Sequence, residues 1–178
     1  MEILGIEKII DTPSRSRILT LHPAIRQAAV DGYTGAIAAL SGKNLLRVTY
    51  GLRTFAQQAA LLAKKPPVTK AGAGQSYHNY GLALDFVLIH TDGKVSYSLS
   101  EDLDADGKAD WREVAEAFKA RGFAWGGEWN TFKDNPHVEL VPAAILDEAK
   151  RRGLRPWKVL LERYNAGQRD PEGYVLVA

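Results

Sequence analysis

The sequence contains no cysteine. This absence excludes disulfide scaffolds, thiolate nucleophiles, iron–sulfur clusters and every zinc site that uses cysteine sulfur. Any metal ion bound by this chain must therefore be held by imidazole nitrogen and carboxylate oxygen. Long apolar runs are missing too. None approaches the ~20 residues that a helix needs to cross a bilayer, so we expect no membrane segment.

A large excess of one sign of charge is also absent. The 23 basic and 21 acidic side chains leave a formal net charge of +2, and no basic stripe stands out. A nucleic-acid partner is therefore not expected. The first residues, MEILGIEKIIDTPSRSR, contain an early acid and no long apolar stretch. They make a poor signal peptide.

The patterns that are present predict one mixed domain. A chain of 178 residues is long enough for a substantial core. The predicted helices span 21–40, 54 onward, 111–121, 143–152 and 156–164, and the predicted strands span 44–50, 82–89, 94–99, 137–141 and 173–178. Helices at both ends and hairpins in the middle favour an α+β fold over a doubly wound parallel sheet.

Asp85 is the anomaly of the predicted strand 82–89, because every neighbour in LALDFVLI is apolar. A buried carboxylate requires a cation or strong donors. His78 lies seven residues upstream, beyond the turn residue Gly81, and His137 begins the predicted strand 137–141. Two imidazoles and one carboxylate form a plausible zinc site with a fourth position open for water. The alternative is that His78 is a loop residue, His137 is an exposed turn residue and Asp85 pairs with an arginine.

The segment from Ser76 to Asp85 has the pattern S-x-H-x-x-G-x-A-x-D. It resembles the metal-binding signature of the M15 zinc peptidases, the D-Ala-D-Ala carboxypeptidase and L-alanyl-D-glutamate peptidase family. Three other segments match the family in order: Gly51-Leu52-Arg53-Thr54 with Gln57, Trp125-Gly126-Gly127-Glu128-Trp129, and Asp134-Asn135-Pro136-His137. The tryptophan segment most resembles the L-alanyl-D-glutamate endopeptidases of phage lysis.

The resemblance implies a small antiparallel sheet flanked by helices, in a zinc peptidase domain over residues 1–142. It implies that His78, Asp85 and His137 bind zinc. It also implies that Asp134 is the general base and acid, and that Arg53 stabilises the oxyanion. Residues 143–178 carry no resemblance, and we expect them to form a helical extension packed on the same domain.

Substrate contacts are expected from three further side chains. Ser76 and Gln57 are candidates to hold polar groups of the substrate. Their alternatives are a loop hydroxyl and a helix cap. Trp125, with Trp129, is a candidate floor for the substrate groove, although at least one of the two is expected in the core because tryptophan is usually buried.

A second cation site is predicted in the acidic segment 102–113. Its ligand positions match the twelve-residue EF-hand loop, with the required glycine at Gly107. The predicted calcium ligands are Asp102, Asp104, Asp106, Lys108 (through its carbonyl), Asp110 and Glu113. No entering helix is predicted before this loop. The alternative is a solvated acidic turn whose carboxylates favour a helix N-terminus.

The resemblance implies a zinc peptidase that cleaves the peptidoglycan stem peptide at the L-Ala–D-Glu bond, as a phage-type endolysin does. A D,D-carboxypeptidase or dipeptidase of the same family is the first alternative. A non-catalytic, calcium-switched wall-binding module is the second. We expect a monomer made in a host cytoplasm that acts on the wall after release.

Overall fold

The α+β architecture is confirmed in a computed structural model, which describes residues 3–43 and 45–178. The helices are α1 (Thr12–Leu19), α2 (Pro23–Ala39), α3 (Phe55–Leu62), α4 (Asp110–Lys119), α5 (Ala143–Arg152) and α6 (Pro156–Asn165). The strands are β1 (Leu46–Tyr50), β2 (Ala83–Ile89), β3 (Val95–Ser96), β4 (Ala124–Trp125) and β5 (His137–Glu139). Asn44, at the start of the predicted strand 44–50, lies outside the described residues.

The strands form one antiparallel sheet in the order β1–β2–β5–β4, and β3 pairs with the end of β2. Strand β2 is the most buried, because it has partners on both sides and its apolar side chains enter the core. The predicted strand 94–99 is shorter than expected, at Val95–Ser96. The predicted strand 173–178 is wrong, since only an isolated bridge between Arg169 and Val175 forms there.

The main core lies between the sheet and the crossing helices α2 and α4. Phe86 of β2 packs against Trp111 at 4.9 Å and Phe118 at 6.1 Å between ring centroids. A Cβ on Gly32 of α2 would lie 2.5 Å from the Phe118 ring, so glycine is required for this close helix approach. The glycine that weakens the helix pattern in the sequence is thus a packing requirement.

The C-terminal helices bury their apolar side chains in the same hydrophobic cluster as the sheet. Ile145 and Ala149 of α5, and Val159 and Leu160 of α6, belong to it. The last residues also join the cluster through Val175, whose carbonyl oxygen lies 2.8 Å from His22 Nε2. Among the described helices, none has the length and apolar character to cross a bilayer.

Candidate active site

Two adjacent strands and one turn bring the predicted metal ligands together. Asp85 on β2 pairs with His137 on β5 in the antiparallel register, so their side chains share one face. His78 lies in a short 3-10 turn that ends at Gly81 with φ 68°. A Cβ on Gly81 would lie 2.7 Å from the His22 nitrogen, so only glycine turns the chain here. The turn places the imidazole beside the strand carboxylate.

The three ligand atoms fit a tetrahedral metal ion. His78 Nε2 and His137 Nδ1 each lie 3.1 Å from Asp85 Oδ1, and 3.2 Å from each other. Two ligands at Zn–N or Zn–O distances of about 2.0–2.1 Å in a tetrahedral site lie about 3.3–3.4 Å apart. Both imidazoles are buried, in contrast to the loop-and-turn alternative. The donor set is therefore suited to zinc.

Outer contacts fix which nitrogen of each imidazole faces the centre. His78 Nδ1 lies 2.8 Å from the Gly51 carbonyl oxygen, and His137 Nε2 lies 2.9 Å from Glu139 Oε2. Such partners hold the tautomer and orientation of metal-binding histidines. Glu139 was not among the predicted site residues, although its i+2 spacing from His137 puts it on the same strand face.

The electrostatics of the cluster favour a charged carboxylate. Burial alone would raise the pKa of Asp85, but the nearby His78 and His137 hold it well below its usual range. Burial alone would lower the pKa of His137, but hydrogen bonds to Asp85 and Glu139 raise it to about 9. A coordinating imidazole must be neutral, so a divalent ion competes with that proton.

Arg53 lies at the corner between β1 and α3, as the sequence predicts, and faces the same cluster. Its Nη2 donates to Asp85 Oδ2 at 3.3 Å, and its Nη1 donates to the buried Gln58 Oε1 at 3.0 Å. The strand register shifts between Val48 and Tyr50, and Tyr50, unlike the buried Val48, is exposed. The Tyr50 ring instead lies 4.6 Å from the guanidinium. Strand bulges commonly re-aim side chains at sites of this kind.

Asp134 is half-buried beside the cluster. Burial raises the pKa of its carboxyl, and the nearby Asp85 adds to that rise against the lowering effect of His137. Its backbone approaches Gly126 so closely that a Cβ there would lie 2.4 Å from the Asp134 oxygen. Glycine at position 126 is thus required for the placement of Asp134.

A cleft of about 840 Å³ contains the cluster, Arg53 and Asp134, and is also lined by Ser76. Two of the three predicted substrate contacts lie elsewhere. The Gln57 side chain accepts from Thr54 N at 2.8 Å in the capping box of α3. The Trp125 indole donates to the Asn135 carbonyl at 2.7 Å, while Trp129 lines the cleft. Gln57 lies away from the cleft because of its position around α3, where the neighbouring Gln58 is the residue that points inward.

The acidic loop 102–113 forms a second group of carboxylates, before and within the first turn of α4. Asp102 accepts from Gly107 N at 2.9 Å, and Asp110 accepts from Leu103 N at 2.9 Å. Three carboxylate oxygens have no hydrogen-bond partner among the described residues although they are buried: Asp104 Oδ2, Asp110 Oδ1 and Glu113 Oε2. Asp110 is fully buried. Burial and the neighbouring acids raise its pKa.

Comparison with known proteins identifies the class. Residues 69–140 match the family described as D-alanyl-D-alanine carboxypeptidase. That segment contains all three ligands of the cluster and Asp134. The chain belongs to the M15 peptidase family, whose members are zinc-dependent enzymes, as the sequence motifs predict.

Three individual relatives are named for the same activity. The chain is 44% identical over 127 residues to the peptidoglycan L-alanyl-D-glutamate endopeptidase CwlK of Bacillus subtilis, covering 68% of this chain and 74% of that protein. It is 37% identical over 92 residues to the L-alanyl-D-glutamate peptidase of Listeria phage A118, covering 50% of this chain and 28% of that one. The L-Ala D-Glu endopeptidase ChiX of Serratia marcescens superposes with a TM-score of 0.52 at 25% identity, covering 78% of this chain and 95% of that one.

Proposed function

We propose that this enzyme is a zinc endopeptidase that cleaves the L-Ala–D-Glu bond of the peptidoglycan stem peptide. The observation that carries the proposal is the convergence of His78, Asp85 and His137 beside Arg53 and Asp134 in one cleft. The similarity to relatives named for this bond supports the choice of substrate.

The geometry supports one role for each of these residues. His78, Asp85 and His137 would hold zinc, which when bound supplies Lewis-acid activation of the attacking water and the scissile carbonyl. Asp134 takes a proton from that water and delivers it to the leaving amine. Arg53, held by Asp85 and Gln58, directs its guanidinium toward the oxygen on which negative charge develops. Ser76 lines the cleft and contacts a polar group of the substrate.

The test is mass spectrometry of purified sacculi digested with the zinc-loaded enzyme. We expect new C-terminal L-Ala and new free amines on D-Glu. Release of D-Ala instead would support the D,D-carboxypeptidase alternative, which the description of the matched family favours. Tight binding to sacculi without any new termini would support the wall-binding module.

We further propose that the loop 102–113 binds Ca²⁺. The supporting observation is the set of buried carboxylate oxygens without partners, because burying such groups is costly unless a cation satisfies them. The loop joins the active-site sheet through Glu101, whose carbonyl accepts from Asp110 N at 3.0 Å and whose carboxylate lies 3.1 Å from His90 Nε2, beside the end of β2. Calcium would thus stabilise α4 and the sheet together, and its higher concentration outside cells would favour activity there.

Calcium at about 100 times its dissociation constant should stabilise the zinc-loaded enzyme by about 2.7 kcal/mol. For a domain of this size that is a rise in Tm of roughly 5–10 °C, measured by calorimetry. Asp110→Asn should abolish the rise. When Tm is measured in the presence of a chelator, the variant should unfold at the same temperature as the wild type or at a higher one. The substitution removes a buried charge that neighbouring acids repel, and it keeps the oxygen that accepts from Leu103 N. An equal rise in both proteins would contradict the site, as would no rise in either.

We propose that the protein acts at the cell wall after release from a host cytoplasm, as a monomer. The proposed substrate is the stem peptide of the cell wall, so activity is required at the wall.

A further inference from the structure

Three acidic and three basic side chains line the cleft, and two of the basic ones have no acidic partner among the described residues. Its acidic side chains are Asp85, Asp134 and Glu139. Asp85 contacts Arg53 and both imidazoles, and Glu139 contacts His137. Two further cations line the same cleft, Lys70 and Arg155. Within residues 3–43 and 45–178, neither has a carboxylate within ion-pair distance.

Lys70 is held on the rim by its neighbours. The buried Gln58 amide donates to the Ala71 carbonyl at 2.8 Å and to Thr69 Oγ1 at 3.3 Å, on either side of Lys70. The same Gln58 accepts from Arg53. One buried side chain therefore sets the position of the Lys70 backbone relative to Arg53.

The Lys70 ammonium lies 5.3 Å from the centroid of the exposed Phe132 ring. Phe132 also lines the cleft and precedes Asp134 by two residues. A cation–π contact at an exposed site contributes only about 0.5–1 kcal/mol. An incoming carboxylate, with its full charge, can replace the ring as the partner of this ammonium.

Arg155 serves a different part of the cleft. It precedes Pro156 at the start of α6, with extended backbone. Its charge opposes the rise in the pKa of Tyr77 that burial and Glu139 cause. Arg155 is therefore close to Tyr77, whereas Lys70 contacts Phe132.

The bond chemistry then distinguishes the two cations. A glutamyl residue has two carboxyl groups, and the chain continues through only one of them. The α-carboxylate is attached to the carbon that bears the scissile nitrogen, so it must lie close to the group that protonates that nitrogen. That group is Asp134 in the proposed mechanism, and of the two unpaired cations Lys70 is the one whose ring partner, Phe132, stands two residues from Asp134 in the chain.

We propose that Lys70 is a specificity residue that binds the free α-carboxylate of the D-Glu residue in the substrate. The enzyme therefore prefers stem peptides whose D-Glu is a free acid over those in which the same carboxyl is amidated. This inference rests on the proposed L-Ala–D-Glu activity.

The test uses two synthetic stem peptides that differ only in whether the D-Glu α-carboxyl is free or amidated. For the zinc-loaded wild type we expect kcat/KM to be roughly 10-fold or more higher on the free acid, as for a charge-assisted contact. Lys70→Met should reduce that preference to within about 2-fold, by losing activity on the acid alone. Lys70→Arg should retain the preference, and Lys70→Glu should invert it.

The matched control is Lys64→Met, which removes an exposed lysine of the same segment that does not line the cleft. It should keep the wild-type preference. Equal cleavage of both peptides by the wild type would overturn the inference alone. So would a loss of preference in Arg155→Gln but not in Lys70→Met. Cleavage of neither peptide at the L-Ala–D-Glu bond would overturn the proposed function and this inference together.

Discussion

Replacing Asp134 with alanine should lower peptide hydrolysis by about 10²–10⁴-fold while the protein still binds one zinc ion. The reason is that Asp134 lies beside the metal ligands without being one of them, so its loss removes a proton carrier and leaves the donor set intact. Burial raises the pKa of the carboxyl, which is typical of groups that exchange protons near neutral pH. Turnover on stem peptide and zinc content by atomic absorption are the two measurements.

Asp134→Asn is the matched variant, because it keeps the shape of the side chain and cannot accept a proton. It should be as inactive as the alanine variant. Gly126→Ala offers an independent test, since its added Cβ would displace the Asp134 backbone and lower kcat without touching any ionisable group. Wild-type turnover in Asp134→Asn would rule out the acid–base role.

Replacing His78 with alanine should abolish zinc binding and hydrolysis together. His78 is almost fully buried, and its Nε2 is one of three donor atoms that lie within 3.2 Å of one another. Two donors from β2 and β5 would remain. Zinc affinity measured by competition with a chromogenic chelator, beside turnover, tests the expectation.

Glu139→Gln provides a graded comparison, because Glu139 contacts His137 on the far side of the imidazole. Zinc affinity should fall by about 10–100-fold, and activity should return at saturating zinc. The His78 variant should not be rescued in this way. Full zinc affinity in His78→Ala would show that the metal is held elsewhere.

The sequence predicted the parts of the site that local chemistry determines. A carboxylate in the apolar strand 83–89 and a glycine-terminated turn after His78 made a metal site plausible, and the family resemblance favoured it over a pairing of Asp85 with an arginine alone. Arg53 at a strand-to-helix corner follows from the capping box at Thr54. The long amphipathic helix α4 was likewise predicted to within two residues at each end.

Features that depend on tertiary contacts were not predictable. Helix α1 has the polar sequence TPSRSRIL and buries only Ser14 and Ile18, so no apolar stripe marks it. Its cap, Asp11, is held by Arg47 at 2.8 Å from another element. Both Trp125 and Trp129 were candidates for the groove; a 3-10 turn at Gly126–Glu128 separates them, so that Trp125 packs against the core and Trp129 lines the cleft.

The pairing of Asp85 with His137 also has a consequence for folding. A divalent ion held there crosslinks neighbouring strands whose partners are 52 positions apart in the chain. A slip of either strand by one position would move its ligand to the opposite face. The metal therefore selects one alignment of β2 with β5. Extraction of the metal with a chelator should accelerate amide hydrogen exchange first in these two strands and only later in the helices packed on the sheet.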